Sequence, residues 1–334
     1  MDDWGDCMKH TTGWRLAAAM ACSTMPILAL AAPPAVLTAA AVNDASIALV
    51  ADATLSTAAV LRAQVLLDRA RFSPGEIDGG FGSNTRAAIA GFQRNRSLPA
   101  SGELDAATWT ALNTDQADVL VAYTLTAEDV AGPFTPIPAD MIKKSRLDAL
   151  GYTSAAEALG ERFHASPTLL QRLNPGQDLG LAGAVVLVPG VTAAALPKAA
   201  RVVVDQSDRT VMLVDEAGTV YAQFPATMGS EHDPLPIGEW TINGVATNPV
   251  FHYNPALFWD GDPSHGKAKI PAGPNNPVGV AWVDLSKPHY GIHGTPEPSK
   301  IGKTASHGCI RLTNWSATAL GGAVGPGTPA VLQE

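Results

Sequence analysis

The sequence predicts a multidomain chain: a small all-α module of three helices, a middle segment of two helices and a strand, and a mainly-β C-terminal domain. Three observations carry this. Residues 56–113 place apolar side chains at helical spacing between Gly-, Pro- and Asp-containing turns. From Arg201 onward the pattern switches to short β-prone runs separated by turns. The length, 334 residues, exceeds that of one ordinary domain. Composition agrees: 46% hydrophobic and 16% charged residues suit packed cores, not a disordered chain. The net charge of −9 leaves no basic excess to neutralise phosphates, so no nucleic-acid partner is expected. Aromatic residues are only 6%, so the cores must rely on Ala, Val and Leu.

The N-terminus sets the expected compartment. Lys9 and Arg15 precede an apolar stretch over 16–32, and Ala29-Leu30-Ala31 offers the small residues that a signal peptidase reads. Residues 1–31 therefore read as a secretory signal peptide. Asp2, Asp3 and Asp6 are foreign to such a region and leave Met8 as an alternative start. Ser23, Thr24 and Pro26 interrupt the stretch, which makes it marginal for spanning a bilayer. The membrane is thus met only through this segment, and the expected location is the periplasm or cell wall. Ala19-Met20-Ala21 before Cys22 lacks the branched apolar residue of a lipoprotein site. Residues 32–55, rich in Ala, Pro and Val, read as a linker. Cleavage near Ala31 removes Cys7 and Cys22, leaving Cys309 as the single thiol in a compartment that favours disulfides. Such a thiol is either buried and inert or free and reactive.

In the first module Leu61 and Val65 share a helix face. Ser73-Pro74-Gly75 and Asp78-Gly79-Gly80 are turns. Thr85, Ile89 and Phe92 lie on a second helix with Ser83 or Asn84 as its cap, and Asp105 caps a third carrying Trp109 and Leu112. The run from Pro74 to Thr85, then Phe92-Gln93, Gly102 and Thr108-Trp109, resembles the peptidoglycan-binding type 1 domain. That resemblance implies wall localisation, with glycan as the partner, and no chemistry. The module is expected to work as a unit separate from the catalytic residues.

Residues 114–198 read as a linker followed by a helical segment. Pro133, Pro136 and Pro138 break any long element. Ala156, Leu159 and Phe163 then follow a helical period, and Ser166-Pro167 is a cap with proline at the first helical position. Leu169, Leu170 and Leu173 continue, and Ala184–Val188 is a β-prone run. Helix, helix and strand together resemble a degenerate LysM module.

In residues 199–334 the strands are Val202–Val204, Thr210–Val214, Thr219–Phe224, Trp240–Ile242, Val278–Val283 and Thr328–Leu332, with a helix over Asn314–Leu320. The chemistry-bearing residues come late. His293-Gly294-Thr295 follows the apolar Tyr290-Gly291-Ile292, and Ser306-His307-Gly308-Cys309-Ile310-Arg311 comes after a spacer. A thiol is a good acyl acceptor only as thiolate, so it needs a base or a positive field beside it. Two histidines and an arginine supply these. Gly308 lets backbone N–H groups approach an oxyanion.

These residues resemble the YkuD-type L,D-transpeptidase catalytic domain, whose hallmark is H-G-T, a spacer and S-H-G-C-x-R. The resemblance implies that Cys309 is the nucleophile and His293 its base, oriented by the Gly294 carbonyl. It implies that His307, Gly308 and Cys309 line the oxyanion region. Arg311 holds the loop or meets a substrate carboxylate. The Ile270–Gly279 run resembles the family's cleft segment, so Asn275 and Asn276 are expected to bind substrate. Ser306 is placed with them at the cleft, as a hydrogen bonder that fixes the loop. Leu235-Pro236-Ile237-Gly238 departs from the family's Thr-Pro-x-Gly. The implied reaction cleaves the L,D amide of a peptidoglycan stem peptide and passes the acyl group to a second stem, forming 3→3 cross-links. It uses no metal or organic cofactor, and carbapenem-type β-lactams are expected inhibitors. Water as acceptor would make an L,D-carboxypeptidase, and a lipoprotein lysine a wall anchor. Two rivals from other classes are a zinc enzyme ligated by His293, His307 and Cys309, and a non-catalytic wall-binding protein.

Overall fold

Hydrogen-bonding side chains at the helix starts set the first module. The computed structural model describes residues 37–46, 55–191 and 195–334; the expected signal peptide lies outside the described residues. Helices α1 (Ala39–Asn43), α2 (Thr57–Arg69), α3 (Ser83–Asn95) and α4 (Ala106–Leu112) come first. Ser56 caps α2 and Asp105 caps α4, each accepting a backbone N–H three residues on. Helix α3 begins differently from expectation. Its cap is Gly82, without a side-chain bond, because Asn84 donates outward to the Ile301 carbonyl at 2.9 Å.

The motif residues of this module hold its turns. Buried Gln64 accepts the Asp78 and Gly79 N–H groups and donates to the Gly80 carbonyl. Buried Gln93 accepts the Gly102 N–H and donates to Thr108 Oγ1 and the Glu103 carbonyl. Each amide so saturated avoids the roughly 1–3 kcal/mol cost of an unpaired buried polar group. Residues 39–43, expected in a linker, form α1 instead. Val42 there is fully buried, and Arg62 ties the α1 end down through the Asn43 carbonyl and Asn113 Oδ1.

The middle segment runs β1 (Leu120–Thr124), α5 (Met141–Lys144), α6 (Ala155–Arg162), α7 (Pro167–Leu173) and β2 (Val185–Pro189). Strand β1 pairs antiparallel with β2, Leu120 opposite Pro189. Helices α6 and α7 and strand β2 match expectation; β1 and the short α5 were not expected. Leu159, Leu169, Leu170, Val186 and Val188 join Leu61, Val65, Ile89 and Phe92 in one continuous core. Each such side chain, fully buried, contributes about 1.5–3 kcal/mol. The first module and the middle segment are therefore one packed body.

The C-terminal part contains β3 (Arg201–Asp205), β4 (Thr210–Val214), β5 (Val220–Pro225), β6 (Gly238–Thr247), β7 (Phe251–Tyr253), β8 (Ala268–Ile270), β9 (Ala281–Leu285), β10 (Gly291–His293), β11 (Ile310–Arg311), α8 (Asn314–Ala323) and β12 (Pro329–Gln333). Eight strands form one sheet in the order β11-β10-β9-β6-β12-β3-β4-β5, and β7 pairs with β8 as a separate hairpin. Strand β9 starts later than expected, because Asn276–Gly279 is a hydrogen-bonded turn, Gly279 N to Asn276 O 2.8 Å. Val202, Leu213, Val283, Ile292 and Leu332 pack with Ala317 and Leu320 of α8 in a second core. The sheet curls until its edges meet: Thr227, just beyond β5, exchanges backbone hydrogen bonds of 3.0 and 2.8 Å with Arg311 of β11.

The β5 edge is covered by the first module. Ser73 N donates to the Gln223 carbonyl and Gln223 N to the Arg71 carbonyl, both at 2.9 Å. Gln223 Nε2 also reaches the Ala87 carbonyl on α3. An unpaired sheet edge is an invitation to aggregate, and this contact satisfies it. The expectation of separate units is thereby corrected: module and sheet share a hydrogen-bonded seam. Among the described residues, no helix is long and apolar enough to cross a membrane.

Candidate active site

Strands β10 and β11 are parallel neighbours, with His293 opposite Arg311. Cys309 immediately precedes β11. Cross-strand partners share a face, and residues two apart point the same way. His293, Arg311 and Cys309 therefore open on one side of the sheet, beside the seam where its edges join.

His293 is 4% exposed and its ring stacks on Trp282, with centroids 5.4 Å apart. Its Nδ1 lies 2.7 Å from the Gly294 carbonyl. Burial pushes the imidazole down to about 4; the Gly294 hydrogen bond works against this, and the Arg311 charge adds to it. The ring is thus neutral at physiological pH. A carbonyl only accepts, so Nδ1 carries the proton and Nε2 is left as a bare acceptor.

Cys309 is a free, half-buried thiol, and its Sγ is 3.6 Å from the His289 carbonyl. Burial pushes the thiol up, against the backbone of Gly291 and the Arg311 charge. The resting pair is therefore thiol and neutral imidazole, not a preformed ion pair. Gly308 has φ +94°, a conformation open to glycine, and a Cβ there would meet Tyr290 Cε1 at 2.8 Å.

Other expected residues occupy different places. Ser306 Oγ donates to the Cys309 carbonyl at 2.6 Å, which makes it a loop fastener and not a substrate ligand. Asn276 is fully buried and donates to the Pro271 carbonyl at 2.7 Å. Asn275 donates to Gly151 O and to Glu157 Oε1 at 2.9 and 2.7 Å. Both amide nitrogens are thus held by acceptors of the protein itself, a structural part in place of the expected substrate contacts. Buried turn amides left unpaired would each be costly, and these side chains satisfy the carbonyls around them. His307 Nε2 lies 2.8 Å from Asp260 Oδ1, and its Nδ1 lies 3.5 Å from Arg311 Nη2.

The loop between β7 and β8 had no place in the sequence reading. It brings Phe258 and Trp259 within 5.3 and 5.8 Å of the His307 ring, and Trp259 within 4.5 Å of His232. Trp259 is 59% exposed, an aromatic surface beside His307. Two adjacent aromatics in so aromatic-poor a chain were the available signal. Tyr290 and Asn314 were also missed.

A family model for the L,D-transpeptidase catalytic domain matches residues 199–332, and one for a peptidoglycan binding domain matches 56–112. The L,D-transpeptidase YkuD of Bacillus licheniformis is 31% identical over 175 residues, spanning 52% of this chain and 89% of that protein. This chain belongs to the L,D-transpeptidase family. The Bacillus subtilis YkuD transpeptidase is 30% identical over 174 residues, with the same coverage. A solved structure of L,D-transpeptidase 3 from Mycobacterium tuberculosis with a faropenem-derived adduct is 21% identical, with a TM-score of 0.34 over 46% of this chain and 75% of that one. The matched transpeptidase region begins two residues before β3, and Cys309, His293 and Gly294 lie inside it.

Proposed function

We propose that the protein is an L,D-transpeptidase that remodels peptidoglycan on the outer side of the cytoplasmic membrane, forming 3→3 cross-links between stem peptides. The observation that carries this is a free thiol two residues before Arg311, the cross-strand partner of a buried imidazole whose proton is pinned to Nδ1 by the Gly294 carbonyl.

The reaction follows from that arrangement. As the Cys309 sulfur attacks the carbonyl carbon of the L,D amide, its proton passes to His293 Nε2. The tetrahedral oxyanion lies toward the backbone of Gly308 and Cys309, with His307 beside it. Collapse breaks the C–N bond, and the imidazolium returns its proton to the departing D-Ala amine. A thioester remains on Cys309. The side-chain amine of a second stem's diamino acid then attacks the thioester. His293 takes the amine proton and passes it to the leaving thiolate, restoring the enzyme. The Gly294 carbonyl does the orienting work that a carboxylate performs in an Asp-containing triad. His307, two residues before Cys309, is held by Asp260 and flanked by Trp259.

The test is incubation with a purified tetrapeptide stem. Release of D-Ala together with a 3→3 dimer supports the transpeptidase. D-Ala release with tripeptide alone shows water as the acceptor and a carboxypeptidase. No turnover of any stem overturns the reading.

A further inference from the structure

We propose that Glu161, on helix α6 outside the catalytic domain, is a positioning residue for His293, acting through Asn314. The inference deepens the reading above and rests on His293 being the base.

The link consists of two contacts. Asn314 Nδ2 donates to Glu161 Oε1 at 3.0 Å and to the Pro274 carbonyl at 3.2 Å, while its Oδ1 accepts the Val280 N–H at 3.2 Å. The Asn314 residue is 2% exposed, so these partners alone decide which way its amide faces. Its Oδ1 rests directly on Gly294. A Cβ at Gly294 would come within 2.2 Å of that oxygen, and one at Gly279 within 2.0 Å. Gly294 is the residue whose carbonyl holds the His293 proton, and its N–H is fixed by the Ala281 carbonyl at 3.1 Å. The amide of Asn314 thus presses on the peptide that orients the base, and Glu161 sets that amide.

Helix α6 is itself well anchored on the catalytic domain. Glu157 lies one turn before Glu161 on the same face and receives Asn275 Nδ2. His164, just past the helix, stacks on Trp315 with centroids 5.0 Å apart and planes 8° apart. A hydrogen bond from Asn314 to Glu161 is the polar part of this docking that leads to the site.

The test compares full-length Glu161→Met, which keeps the side-chain length without an acceptor, with Glu161→Gln, which keeps the acceptor. Two quantities are read: the rate of Cys309 acylation by a carbapenem, and the His293 tautomer from imidazole 15N shifts, assigned with His293→Ala. In Glu161→Met the Nδ1–H signature gives way to a mixture and acylation falls about tenfold, the scale of one lost hydrogen bond. In Glu161→Gln both stay at wild-type values. Wild-type tautomer and rate in Glu161→Met overturn the proposal, as does an equal loss in Glu161→Gln. A changed tautomer with unchanged acylation supports the link from Glu161 and overturns the reading of His293 as base.

Discussion

Raising the pH from 6.5 to 8.5 should weaken the junction between α6 and the catalytic domain. Glu161 and Glu157 of α6, Glu76 of the first module and Glu297 beyond β10 line one cavity of about 240 Å³. Burial raises Glu161 to about 8, with Glu157 and Glu76 adding repulsion and the Asn314 hydrogen bond opposing. Burial and Asp78 raise Glu76 to about 7, against the pull of Lys303. In the unfolded chain both carboxyls ionise near 4.5. The folded state therefore holds protons that the unfolded state has lost, and stability falls as pH rises through the folded values. His293 acts oppositely, with a folded value near 4, but above pH 6.5 it returns only about 0.4 kcal/mol. In the chosen window, at about 1.4 kcal/mol per unit, Glu161 removes about 2 kcal/mol and Glu76 up to about 1 kcal/mol. Urea unfolding at four pH values, on wild type and Glu161→Gln, measures this. The wild type should lose about 2–3 kcal/mol and the variant about 2 kcal/mol less. A wild type whose stability holds or rises from pH 6.5 to 8.5, or a variant with the wild-type slope, refutes the reasoning.

Three further outcomes are expected. His293→Ala should slow acylation by about 10²–10⁴ and His307→Ala less, because His307 is held by Asp260 at the cleft rim; stopped-flow acylation at neutral pH ranks them, and the reverse order would move the base to His307. Gly308→Ala should abolish acylation while the chain stays folded, since the left-handed backbone and the Tyr290 ring leave no room for a methyl; circular dichroism with active-site titration checks both halves. Gln223→Ala strips a donor from the Ala87 carbonyl at the seam and should cost about 1–3 kcal/mol; deletion of residues 55–112 should then impair turnover of soluble stems as well as sacculus binding, contrary to what separate units would do.

What the chain disclosed by itself was local. Asp105 and Ser166 cap helices through their own neighbours, so their residue types sufficed. The His293 and Cys309 segments could be read because the chemistry needs those residues in a fixed order. Strand β1 was illegible because its partner β2 lies far along the chain, beyond the proline-rich stretch and three helices. Asn275 and Asn276 were found but misassigned: a motif locates an amide without saying which way it faces, and here both face inward. Asn84, Glu161 and Asn314 escaped notice, since each acts through hydrogen bonds to partners far along the chain. The seam at Gln223 escaped for the same reason, as a polar residue in a β-prone run reads as solvent-facing until its partner is known.

The claim that Cys309 is an acylating nucleophile is tested most directly by intact mass spectrometry of the protein with a carbapenem, followed by peptide mapping. A β-lactam carbonyl attacked by the thiol opens and stays attached, so no atoms are lost on adduct formation. The account predicts a single adduct of the full carbapenem mass, mapped to the peptide containing Cys309 and lost in Cys309→Ser, whose weaker nucleophile sits in the same fold. An unmodified wild-type protein after prolonged incubation, or an adduct that survives in Cys309→Ser, would contradict it.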